Sequence, residues 1–255
     1  MTLLRHWLRD GWWILLGYVA ILEAALIAAI LYWPKFRDNM PAIAKLVPFE
    51  SLQRLMDSVE VAGYWPYLAV QQWFKGCSLF GLAAAAFLTS GVVARDADQK
   101  TAEFLLSRPV SRSRILLTRW SAAVVLVVAP VYLTSITAIW ISPAVDEQLR
   151  WGEVLVSSTY MSLFLIMLVT FTAMISAMSS HQMRAGIILI GFILLNFAFY
   201  LIQEIDQISL FKTVDVWVFM DIRAGNFPWI MSGSFVLATV LMLLAALKIF
   251  ARRDF

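Results

Sequence analysis

Cysteine, histidine and charge are the scarce commodities of this 255-residue chain. One Cys, Cys77, cannot build a disulfide framework, and with two His, His6 and His181, it makes a dedicated zinc site improbable. No Gly-Lys dipeptide occurs, so no loop can cradle nucleotide phosphates as a Walker A loop does. Neither Gly-x-Ser-x-Gly nor His-Glu-x-x-His occurs, which removes the usual signatures of serine and zinc hydrolysis within a membrane. Charged residues make up only 15% of the chain, and a net charge of +3 gives no footprint for nucleic acid.

What fills the chain is apolar. Hydrophobic residues reach 61%, against roughly 45–50% in soluble domains, and mean hydropathy is +0.78. A soluble surface cannot absorb that much apolar side chain. Six runs approach the ~20 residues that cross a bilayer: 12–33, 67–94, 115–141, 154–178, 185–202 and 229–250. Trp33-Pro34 is expected to end the first, Trp65-Pro66 to open the second, Ser142-Pro143 to close the third and Phe227-Pro228 to precede the last. The expectation is one all-α integral membrane domain, residues 1–255, with six transmembrane helices. With both termini in the cytoplasm, twelve Lys and Arg fall on inner segments and eight on outer ones, which satisfies the positive-inside bias. Arg5 and Arg9 before an apolar run imitate a signal peptide. That run is too long, contains Glu23 and lacks a small-residue cleavage site.

Several segments outside the spans carry a pattern. Leu4, Trp7 and Leu8 share a helical stripe, expected as an N-terminal interfacial helix. Phe49, Leu52, Leu55, Met56 and Val59 do the same in the long loop 34–66, which predicts a surface helix. Ile208, Phe211, Val214, Val216, Trp217 and Phe219 in loop 203–228 would be costly in free water, so that loop should fold back as an outer cap. Within the spans, Glu23 is the one deep acid, expected either to line a substrate path or to steady packing by a hydrogen bond. Pro130 should kink the third span and free the Leu126 carbonyl, with Thr134, Ser135 and Thr137 expected to satisfy backbone or a neighbouring helix. Met167, Met174 and Met178 form a stripe that reads as packing. Thr170, Thr172, Ser176 and Asn196 read as interhelical hydrogen bonds.

The most informative stretch follows the second span. Wound as a helix, Asp96, Lys100, Glu103 and Ser107 share one face, and Ala97, Thr101, Phe104 and Leu105 the next. Pro109 ends it, and Ser111 or Ser113 offers an N-cap for the third span. Such a helix fits a soluble partner or a lipid-held connector equally well by pattern alone. Lys100-Thr-Ala-Glu-Phe-Leu-Leu-Ser-Arg-Pro-Val-Ser-Arg112 resembles the hallmark of ABC-2 type transporter permeases. Thr101, Glu103, Leu105, Leu106, Pro109, Val110, Ser111 and Arg112 match it; Lys100 and Ala102 stand where Gly and Leu are usual. The tail Phe250-Ala-Arg-Arg-Asp-Phe255 is similar to the basic ends of such permeases. The small six-span permeases grouped with copper-enzyme maturation are the nearest resemblance.

The resemblance implies an elbow helix at the N-terminus and a cytoplasmic coupling helix between spans two and three. Lys100, Thr101, Glu103, Phe104, Leu105, Leu106, Arg108, Pro109 and Arg112 would couple to an ATPase. It also implies two copies of a cytosolic ABC ATPase, a second copy of this permease, and ATP and Mg held by the ATPase. No cofactor is expected in this chain, nor an enzymatic activity of its own. An exporter in a bacterial inner membrane is the expectation, moving a lipid or apolar peptide, since few ionisable groups sit in the spans. The rival reading is a non-transporting anchor or receptor for a cytosolic partner.

Overall fold

The computed structural model describes residues 2–44, 50–81, 83–85, 111–179, 181–202 and 204–252. All regular structure among them is helical. The helices are α1 (Thr2–Ala44), α2 (Glu50–Ala62), α3 (Tyr64–Ala69), α4 (Arg112–Ile141), α5 (Trp151–Met178), α6 (Gln182–Leu201), α7 (Val216–Arg223) and α8 (Trp229–Arg252). Among the described residues, five helices are long and apolar enough to cross a bilayer: Leu15–Met40, Arg112–Val145, Trp151–Met178, Met183–Leu201 and Trp229–Arg252. They coincide with expected spans one, three, four, five and six. Expected span two is described only over its first part, and the rest lies outside the described residues.

Two expectations at the N-terminal end need correction. Helix α1 continues through Trp33-Pro34 and on past Pro41 rather than ending there. Proline removes one backbone donor and crowds the preceding turn, but packing outweighs that local cost. Trp33 and Phe36 are buried with Tyr64 and Tyr67, at ring-centroid distances of 4.9 Å for Trp33–Tyr67 and 4.8 Å for Phe36–Tyr67. The Trp33 indole donates to Glu147 Oε1 at 3.0 Å, and the Tyr67 hydroxyl donates to the Ala29 carbonyl at 2.7 Å. Nor is there a separate elbow: residues 4–8 are early turns of α1, with no interruption before the span. Arg9, Asp10 and Gly11 separate that stripe from the span without interrupting the helix, because one Gly costs only about 1 kcal/mol once a long helix has nucleated.

The second span begins as α3 and passes directly into a π-helix, Val70–Phe80. Runs of π-helix are rare and concentrate at functional sites. Gly76 is what permits it: a Cβ there would stand 2.8 Å from the Gln71 carbonyl oxygen, five residues back. Ser142–Val145 closes α4 as a 3-10 turn, as Ser142-Pro143 suggested. Ser111 caps α4, its Oγ accepting from the Arg114 amide at 3.3 Å.

Three apolar clusters hold the bundle. The main one joins α1, the π-helix, α4 and α5 through residues such as Leu22, Trp73, Leu126 and Phe164. A second packs the cap end around Trp33, and a third packs Ile115, Leu116, Ala177, Ala246 and Phe250 at the opposite end. Helices α6 and α8 leave rows of large apolar side chains exposed, including Ile187 and Leu194 on α6 and Leu237, Leu241 and Leu244 on α8. Such rows are stable against lipid and costly in water.

Segment 204–228 does fold back. Phe211, Val214, Val216 and Phe219 are buried, while Ile208 and Trp217 stay exposed. The Trp65 indole donates to the Phe219 carbonyl at 3.0 Å, and the Tyr160 hydroxyl to the Thr213 carbonyl at 2.5 Å. Helix α7 ends at Gly225, whose φ of 92° is the left-handed turn that favours glycine after a helix.

Candidate functional site

Polar side chains form a seam through the apolar core. On α1, Glu23 Oε1 accepts a hydrogen bond from Thr137 Oγ1 of α4 at 3.1 Å. On the π-helix, Gln72 Nε2 donates to Ser135 Oγ of α4 at 2.7 Å, and that hydroxyl meets Ser158 Oγ of α5 at 2.6 Å. Three elements are thereby stitched at one level. Ser135 and Ser158 also donate to the carbonyls of Val131 and Val154, four residues back. Thr134 Oγ1 reaches the carbonyls of Pro130 and Val131 at 2.9 and 3.0 Å, so the polar turn after Pro130 is used as its sequence suggested.

The seam is incompletely satisfied. Tyr18 Oη, Glu23 Oε2, Gln72 Oε1 and Trp73 Nε1 are buried without a hydrogen-bond partner among the described residues. All four belong to α1 or the π-helix, which pack together where Leu22 lies beside Gly76. Each unsatisfied buried group costs about 1–3 kcal/mol. Their concentration where α1 packs on the π-helix is the arrangement of a site with room for water or a passing polar group.

The expected interhelical hydrogen bonds divide. Thr170 accepts from the Trp120 indole at 2.9 Å and so joins α5 to α4. Thr172 instead bonds its own helix at Leu168. Asn196 ties α6 to the cap, accepting from the Leu210 amide at 3.2 Å through Oδ1 and from Ser209 Oγ at 2.7 Å through its carbonyl. In the methionine stripe, Met167 is buried, Met174 is packed and Met178 is exposed, a packing arrangement. Cys77 is buried.

At the cap end lies an ion cluster that the sequence did not announce. Asp206 Oδ2 accepts from Arg54 Nη2 of α2 at 2.6 Å and from Lys212 Nζ at 3.0 Å. Lys212 Nζ also stands 3.7 Å from Asp215 Oδ2. Asp215 caps α7, accepting from the Val216 amide at 2.7 Å and from the Tyr200 hydroxyl at 3.1 Å. Burial opposes ionisation of Asp206, but its bonds to Arg54 and Lys212 outweigh that and hold its carboxyl below the ordinary value. Burial dominates at Asp215 and pushes its carboxyl up, against Val216, Lys212 and Tyr200. Arg54 and Asp206 are 152 residues apart; no local pattern reveals such a partner.

At the opposite end, Lys100, Thr101, Glu103, Phe104, Leu105, Leu106, Arg108 and Pro109 lie outside the described residues. Arg112, the remaining member of that group, begins α4. Its Nη1 donates to the carbonyls of Phe250 and Ala251, each at 3.3 Å, at the C-terminal turn of α8. A guanidinium there satisfies carbonyls that the helix leaves over and complements its negative end. The segment expected to couple therefore ends on a residue tied to the last span.

No curated protein matches the chain. The sequence profile described as ABC-2 family transporter protein matches residues 4–206. That match contains Glu23, Gln72, Ser135, Ser158, the segment 100–112 and Asp206, and it spans well over half of the chain. The chain therefore belongs to the ABC-2 transporter family, the multi-pass membrane permeases of ABC transporters, which are typically subunits without catalytic activity.

Proposed function

We propose that this chain is the permease of an ATP-driven exporter, paired with a second copy of itself and driven by two copies of a cytosolic ABC ATPase. The observation that carries the reading is a family match that runs through segment 100–112, together with the Arg112 tie to α8. In this reading the segment between spans two and three serves as the coupling helix, and a second span over 67–94 would bring the count to six with both termini in the cytoplasm. The most basic segments then lie on the cytoplasmic side of a bacterial inner membrane.

In this mechanism ATP and Mg are bound by the partner. Closure of the two ATPases pushes on Lys100, Thr101, Glu103, Phe104, Leu105, Leu106, Arg108 and Pro109. The push reaches α4 and α8 together because Arg112 joins them. Rocking of these helices opens the seam between α1 and the π-helix, where Glu23 presents an oxygen without a partner among the described residues. The transported molecule is an amphiphilic lipid or an apolar peptide, moved outward.

A large apolar side chain at the centre of an interface outweighs a rim charge. Phe104→Ala should therefore weaken ATPase co-purification more than Lys100→Ala does. Glu103→Arg should be worse than Glu103→Ala, because it adds repulsion. Unchanged co-purification in all of these variants would leave segment 95–114 a lipid-held connector and the chain an anchor.

A further inference from the structure

A cavity of about 1070 Å³ lies between α5, α7 and α8 at the cap end, away from the seam and from Arg112. Its walls are apolar: Val156 and Leu163 from α5, and Val236, Leu237 and Val240 from α8. Val156, Leu237 and Val240 are exposed, so the cavity is open at its side, toward the surface a bilayer covers. Along both helices it runs eleven helical steps, from Gly152 to Leu163 and from Trp229 to Val240. At 1.5 Å per residue that is about 16 Å, close to half of a ~30 Å hydrocarbon core.

Charged groups gather only at its upper part. Arg223 Nε pairs with Glu153 Oε2 at 3.5 Å at the mouth, and Arg150 Nη1 meets Glu153 Oε1 at 3.4 Å. These three side chains sum to one positive charge beside an exposed Trp229. Inside, Ser232 is 6% exposed and its hydroxyl has no hydrogen-bond partner among the described residues. Ser232 thus lines the cavity with a covered hydroxyl whose hydrogen-bonding capacity is unspent, and such a group calls for a partner.

We infer that this cavity binds one membrane phospholipid, with an acyl chain along α5 and α8, the ester region at Ser232 and the phosphate beside Arg223 and Arg150. The cavity is as deep as one leaflet, open to lipid at its side, and basic only where a headgroup would sit. A peptide would need backbone donors and acceptors along its length, and below Ser232 the walls offer Val, Leu and the hydroxyl of Thr159, which already donates to the Leu155 carbonyl at 2.8 Å. The inference names a bound lipid and does not depend on the exporter reading: it requires neither ATP nor a partner subunit.

The test is photo-crosslinking of the full chain, reconstituted in phosphatidylethanolamine–phosphatidylglycerol vesicles, to a phosphatidylglycerol carrying a diazirine on one acyl chain. The expected result is dominant labelling of 156–163 and 232–240, over the lipid-exposed face of α6 at Ile187 and Leu194. A Cβ on Gly233 or on Gly152 meets nothing within 4 Å, so Gly233→Ala should keep the yield. Gly233→Phe, and independently Gly152→Phe, should cut it at least fivefold while α6 labelling stays constant. Arg223→Gln should remove the preference for phosphatidylglycerol over an uncharged diacylglycerol probe. Equal labelling of α6 and the cavity walls, unaffected by either Phe, would show bulk lipid only and overturn the inference. So would loss of the lipid label to an apolar peptide that itself labels 232–240.

Discussion

Asp206→Asn is the substitution whose cost the structure defines best. The carboxyl is 3% exposed and holds Arg54 at 2.6 Å and Lys212 at 3.0 Å. Asparagine keeps the shape and removes the charge, leaving two cations facing one another. A fully buried pair broken in this way costs about 3–5 kcal/mol, and a fully exposed one about 0–1 kcal/mol. The side chains of Arg54 and Lys212 are 35% and 32% exposed, so water relieves part of the loss. The expected destabilisation is about 2 kcal/mol. A double-mutant cycle with Arg54→Ala should return a coupling of about 1 kcal/mol. Denaturant unfolding of the full chain in detergent, followed by tryptophan fluorescence, measures both. The pH dependence has a defined sign. Because the folded carboxyl of Asp206 is depressed, its contribution is complete above its unfolded value of about 3.9 and is lost as pH falls through the lower folded value. Asp215 acts oppositely: its raised carboxyl makes folding more costly as pH climbs from about 3.9 through its folded value. The gap between wild type and Asp206→Asn should therefore be steady from neutrality to about pH 4 and close only below it. A cost under about 0.5 kcal/mol at pH 7 with no coupling to Arg54 would refute this account of the cap.

Other outcomes follow from the same contacts. Glu23→Gln retains an acceptor for Thr137 and should leave assembly and ATPase rate intact while reducing transport. Glu23→Ala should in addition cost about 0.6 kcal/mol, a typical intramembrane hydrogen bond. If Glu23→Gln instead blocks assembly with transport per complex unchanged, Glu23 serves packing alone. Arg112→Ala should cost about 1 kcal/mol through the lost α8 carbonyl contacts. It should also lower substrate-stimulated ATP hydrolysis more than basal hydrolysis; equal loss of both would remove it from coupling. Cysteines at Asp57 and Glu204, both exposed, should react with an impermeant thiol reagent added outside intact cells, whereas one at Gln99 should not. Labelling of Gln99→Cys would reverse the orientation.

Composition and periodicity carried the five described spans because a 20-residue apolar run has few alternatives in a bilayer. They also carried α2, the folded-back cap, the Ser111 cap and the polar turn after Pro130, each legible as a local pattern of residue types. Trp33-Pro34 misled for a physical reason: the local rule against proline was outweighed by aromatic packing with Tyr64 and Tyr67, which belong to another helix. The elbow failed likewise, since a stripe of Leu4, Trp7 and Leu8 does not say whether the helix stops before the next apolar run. The π-helix had one visible trace, Gly76, whose meaning depends on the Gln71 carbonyl behind it. The Asp206 cluster and the cavity beneath α7 had none, because both are assembled from segments far apart in sequence. Segment 100–112 was informative through family resemblance; its spacing alone left a docking helix and a lipid-held connector open.

The central claim is that a separate ATPase drives movement through this chain by way of segment 100–112. The direct measurement is ATP-dependent transport of a fluorescent amphiphile in sealed vesicles holding the chain and its co-purifying ATPase, for wild type and Glu103→Arg at equal protein content. The account predicts transport with wild type that requires ATP and vanishes with Glu103→Arg, while the variant permease remains folded in the membrane. Wild-type vesicles that bind the ATPase yet move nothing, or Glu103→Arg vesicles that transport at the wild-type rate, would contradict it.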